Sequence, residues 1–137
     1  MTKIVITGLV IVHLAASLWH GSAHTHLGIK LSTGQTLFIY IVIIVAPVVA
    51  SILVWTRYVS MALWVFCLSM LGSFLFGGYQ HFVLVSPDNI HYLPAGTPES
   101  HSHFMISACV IALIELGSAL YGAFCLGTYH AQARVSA

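Results

Sequence analysis

Four long apolar runs separated by short polar breaks organise the chain. The first, Ile4 to His20, lies near the lower limit for crossing a hydrocarbon core about 30 Å thick. It becomes long enough if the helix continues to His24, which predicts a span over 4–24. A secretory leader is the competing reading, with Lys3 as its basic start and Gly21-Ser22-Ala23 as a small-residue cleavage site. The second run, predicted over 36–56, is rich in Ile and Val and contains Pro47, a kink that a membrane helix tolerates where neighbours satisfy the freed carbonyl.

Arg57 and Tyr58 leave so few residues before the third run, 59–85, that the second and third spans must form a tight antiparallel hairpin, with Trp55 and Tyr58 suited to the membrane interface. Segment 86–97 carries Pro87, Asp88, Asn89, Pro94 and Gly96, a density of turn formers that excludes a span. Thr97-Pro98-Glu99 then reads as a helix start, with a hydroxyl cap, proline at the first helical position and an acid in the first turn. The last span is predicted over 98–126 and should project beyond the bilayer on one side, because it is about 43 Å long at about 1.5 Å per residue. The predicted fold class is therefore an all-α integral membrane protein, a four-transmembrane-helix bundle forming a single membrane domain over 1–137, with polar loops at about 25–35 and 86–97.

Composition sharpens this reading. Only 5% of residues are charged and 59% are hydrophobic, against about 25% charged in a soluble domain. A net charge of +1 without a run of Lys or Arg offers no basic surface to phosphate backbones, which excludes nucleic acid as a partner. Lys3, Arg57 and Arg134 fall at one end of the predicted bundle and Lys30 at the other. The excess of basic residues marks the cytoplasmic side, which puts both termini inside and the two longer loops outside, in a multi-pass protein of the cell inner membrane.

Against so few charges the nine histidines stand out. At about 100° per residue, His13 and His20 lie within about 20° of one helix face, and Ser17 and His24 extend the stripe. His20 and His24 are about 6 Å apart along the axis, a spacing one metal can bridge, whereas His13 lies about 10 Å deeper. On the last helix His101 falls within about 40° of Glu115 and shares its face with Met105, while His103 points elsewhere. Glu115 is the only acid inside an apolar run, where an ionisable group serves as a proton carrier, a ligand or the partner of a buried histidine. His81 follows Gly77-Gly78, whose missing side chains let another backbone or a flat cofactor approach. His91 and His130 read as solvated, and Cys67, Cys109 and Cys125, which lack a CxxC spacing, read as small hydrophobes.

The expected site is a convergence of His20, His24, His81 and His101 near the outer face as metal ligands, with His13, Glu115, Ser17, His103 and Met105 around or below them as supporting groups or a proton path. Imidazole-rich ligation suits copper, zinc or the iron of haem b, and the scarcity of carboxylates argues against calcium or magnesium. Three functions follow. The protein binds metal or haem as an accessory or subunit of a membrane redox complex; or it is a structural or assembly subunit with no chemistry of its own; or it conducts protons through Glu115 and His13. All three place it in a lipid bilayer beside other membrane subunits or further copies of itself, and none fixes whether it is an enzyme.

Overall fold

A computed structural model describes residues 2–135, and all regular structure among them is helical. Four helices are long and apolar enough to cross a membrane: α1 (Thr2–Leu27), α2 (Thr33–Leu53), α3 (Val59–Val83) and α4 (Pro98–Val135).

Local chemistry sets their ends. Gly28, at φ 63°, turns the chain out of α1, and the following amide, Ile29 N–H, donates back to the His24 carbonyl at 3.0 Å. Ser32 starts α2 with a reciprocal cap: its hydroxyl accepts from Gln35 N–H at 3.2 Å, and its own N–H donates to Gln35 Oε1 at 2.7 Å. Thr97 caps α4, its hydroxyl accepting from Ser100 N–H at 3.2 Å, so the helix begins at Pro98 as its sequence signals predict.

Two segments are wound more loosely, with five-residue hydrogen-bond steps. Ile39–Val45 in α2 lies directly before Pro47, which has no N–H to offer and whose ring would press on the carbonyl four residues back; widening this turn relieves both problems. The other, Tyr79–Val83, closes α3 and carries His81.

Helix α4 packs along both α1 and α3, and α2 packs on α3. Gly122 permits close packing of α4 on α3: a side-chain carbon there would stand 3.1 Å from Cys67 Cα, Cys67 Cβ and Phe66 Cδ1. Helix α1 meets α2 chiefly through Ala46–Leu53, so the two separate toward the end where α1 finishes and α2 begins. Outward-facing residues are apolar, with Ile4, Leu18 and Leu113 each more than two-thirds exposed, a surface suited to lipid rather than water.

Candidate metal centre

The polar stripe of α1 turns inward. His13 and His20 are buried and His24 is partly so. At the upper end of α3, the wide turn aims His81 at the same point. His20 Nε2 lies 3.1 Å from His81 Nε2 and 3.1 Å from His24 Nε2. The three histidines present ligand nitrogens that all lie within 4.8 Å of one another.

The hydrogen-bond partners of His20 and His81 favour one tautomer of each ring. The Ser107 hydroxyl donates to the Phe104 carbonyl at 3.1 Å, so toward His20 it can only accept, and His20 Nδ1–H donates to it at 2.9 Å. His81 Nδ1–H donates to the backbone carbonyl of Asp88 at 3.0 Å. In the neutral rings both Nε2 atoms are then bare lone pairs, directed at each other. A cation bound by Nε2, with Nδ1–H held by an oxygen behind it, is the arrangement in which metal-binding histidines are oriented by their surroundings; His20 and His81 have it, whereas His24 Nδ1 has no such partner among the described residues. The two 3.1 Å spacings agree with this, since tetrahedral bonds of about 2.0–2.1 Å put neighbouring nitrogens about 3.3 Å apart.

Asp88 sits behind this group. Its Oδ1 is 3.2 Å from both His24 Nε2 and His81 Nδ1. These are ion-pair distances off the line of the N–H bonds, so Oδ1 completes no hydrogen bond. The carboxylate is outside the mutually close donor set and faces the non-ligating nitrogen of His81, so it orients that ring rather than completing the ligand set. The loop holds Asp88 there: Ile90 N–H donates to the His81 carbonyl at 3.0 Å, Asn89 Nδ2 to the Leu84 carbonyl at 2.9 Å, and Asp88 N–H to Ser86 Oγ at 3.3 Å. Phe104, fully buried on α4, packs its ring against all three imidazoles with centroids 5.0, 5.2 and 5.5 Å away.

Deeper in the bundle, His13 Nε2 is 3.2 Å from Glu115 Oε1, and Ser17 Oγ donates to the His13 carbonyl at 2.8 Å. A cavity of about 550 Å³ connects the two levels, lined by His20, His24, His81 and Asp88 at one end, Glu115 at the other, and Ile39, Ile43, Phe76 and Ile111 along its walls. A second cavity of about 510 Å³ under the loops shares Ile29, Lys30, Leu31 and Asp88 with the first.

The remaining expected site residues lie elsewhere. His101 is not in the close group; its Nε2–H donates to the Pro94 carbonyl at 2.9 Å, pinning the loop to α4. His103 stacks on Trp19 with centroids 5.5 Å apart and lies 5.8 Å from the His26 ring, against α1. Met105 is 42% exposed, and the inward position near His20 belongs to Ser107 instead. His91 and His130 are exposed. No spacing in the sequence points to Asp88, Ser107 or Phe104; the one signal is an acid seven residues after His81 in an otherwise uncharged loop.

Compared with known protein families, curated proteins and solved structures, the chain matches none.

Proposed function

We propose that the protein is a multi-pass membrane metalloprotein in which His20, His24 and His81 hold one transition-metal ion, zinc or copper, with a coordination position open to the cavity. The observation carrying this reading is the 3.1 Å approach of two imidazole nitrogens whose protons are already committed on the opposite side of each ring. Three neutral imidazoles with one open position form a donor set used for reactive rather than purely structural metal. Haem b fits poorly, because the rings contact one another edge to face with centroids 4.7, 4.8 and 5.8 Å apart and leave no slot for a macrocycle.

The basic residues orient the centre. Lys3 lies 5.9 Å from the Trp55 ring, which puts it at the same end as Arg57, away from the histidines. On the positive-inside rule the metal site faces outward and both termini are cytoplasmic. The chain is a small inner-membrane component whose apolar exterior is matched to lipid and to other membrane subunits, and it serves a redox assembly as a metal-carrying accessory or subunit.

Elemental analysis with an absorption spectrum of the detergent-purified protein tests this reading. Bound zinc or copper near one ion per chain, lost in His20→Ala and His81→Ala, is the expected result. A metal-free, colourless protein that does not take up either ion would leave the structural-subunit reading. A proton shared between His20 and His81 would satisfy the same nitrogens; with the His13–Glu115 pair below, that outcome would favour proton conduction.

A further inference from the structure

Glu115 uses only one of its carboxylate oxygens within the protein. Oε1 is paired with His13, while Oε2 has no hydrogen-bond partner among the described residues, although Glu115 is 97% buried. The side chain lines the same cavity as the three histidines. Gly77 shows how the two ends relate: a side-chain carbon built on it would lie 3.9 Å from Glu115 Oε2 and 4.0 Å from His81 Nε2, in ordinary contact with both. Because Gly77 has no side chain, the space between the carboxylate and the metal donors stays open.

The chemistry of the two ends differs. The metal's open position accepts a lone pair, and Glu115 Oε2 accepts a hydrogen. The intervening walls are mainly Ile39, Ile43, Phe76 and Ile111, with the hydroxyls of Ser17, Thr36 and Ser73 and the ammonium of Lys30 also on the lining, so apolar surface and the lysine together disfavour a cationic guest.

We infer that this space binds a small neutral molecule carrying a lone pair and a hydrogen on the same heteroatom, ammonia or a primary amine, with the lone pair on the metal held by His20, His24 and His81 and an N–H donated to Glu115 Oε2. The inference rests on the metal reading above and supplies its ligand class. Water meets the same two demands and is the competitor an amine must displace.

The test uses the full-length protein in detergent, loaded with Co²⁺, whose visible spectrum reports its coordination. Methylamine is titrated in mildly alkaline buffer, with trimethylamine, which has a lone pair but no N–H when neutral, as the comparison. The expected result is a saturable spectral change with methylamine and a response at least about tenfold weaker with trimethylamine, as loss of a hydrogen bond to a carboxylate implies. Glu115→Leu should abolish that preference. Because this change also strips His13 of its partner, Gly77→Val is the second variant: it fills the space while keeping Glu115, and at equal cobalt loading it should lose the methylamine response. Failure of the wild-type protein to take up Co²⁺ would overturn the metal reading. Uptake without a methylamine response, or with equal responses to both amines, would overturn the ligand inference alone.

Discussion

His20 and His81 face each other through their Nε2 atoms across 3.1 Å, while Ser107 and the Asp88 carbonyl hold the protons on the far side of each ring. Two lone pairs so directed repel in a low-dielectric interior, and a cation between them turns the repulsion into ligation. Replacing either residue with alanine should weaken zinc or copper binding by more than about 100-fold, beyond what loss of an orienting neighbour causes. His91→Ala and His130→Ala should leave it unchanged, because both residues are exposed and neither belongs to the close donor group. Competition against a chelator of known affinity measures all four.

The orienting groups should have smaller effects than the ligands. Ser107→Ala removes the acceptor for His20 Nδ1–H and lets the ring adopt the other tautomer, and Asp88→Asn removes the charge behind His81. Each should lower metal affinity by about 10–100-fold without abolishing uptake. An effect of Asp88→Asn as large as that of His81→Ala would make Asp88 a ligand.

Much of this arrangement was legible because it is periodic. The four spans follow from run length, and the inward stripe His13-Ser17-His20-His24 follows from about 3.6 residues per turn. The α4 start at Pro98 follows from its cap. Asp88 was not legible, since a loop has no period and its place beside His81 depends on hydrogen bonds from Ile90 and Asn89 that no spacing reveals. Extending the His101–Glu115 face predicts Met105 inward. It is ten residues from Glu115, about 80° round the helix, and α4 packs against α1 and α3 together, so the face that is buried near the histidines runs through Phe104 and Ser107. His81 was found as a residue but not as a direction, because its aim comes from a wide turn that sequence periodicity does not signal.

Metal binding should also appear in stability. An ion present at about 100 times its dissociation constant adds about 2.7 kcal/mol to a state that alone binds it. Thermal unfolding in detergent should therefore shift upward with added zinc and back with chelator in the wild type, and neither shift should appear in His20→Ala. Protons compete with metal for the same nitrogens, so the zinc-dependent shift should shrink as the buffer is made more acidic.

Close packing of α3 and α4 makes a separate prediction. A methyl group at Gly122 would stand 3.1 Å from the backbone of Cys67, which cannot give way as a flexible side-chain tip could. Gly122→Ala should push the helices apart and cost about 1–3 kcal/mol, the usual penalty for overpacking. Gly117→Ala on the same helix meets nothing within 4 Å and should be close to neutral. Equal unfolding midpoints for the two variants would show that the contact is not as tight as described.

His13 and Glu115 form a polar pair between α1 and α4, fully and 97% buried and 3.2 Å apart. Removing one partner leaves the other desolvated and unpaired, whereas removing both leaves only a small void. In a double-mutant cycle, His13→Leu and Glu115→Leu should each destabilise the protein, and the double variant should lose less than the two singles together. Interhelical hydrogen bonds within membranes couple by about 0.6 kcal/mol on average, with a maximum near about 1.7 kcal/mol. Because both partners here are ionisable, the coupling should fall in the upper part of that range, at about 1 kcal/mol or more. Unfolding of the four proteins in a common detergent measures it. Additive effects would mean that the two side chains are neighbours without a bond, and the proton path through them would lose its first step.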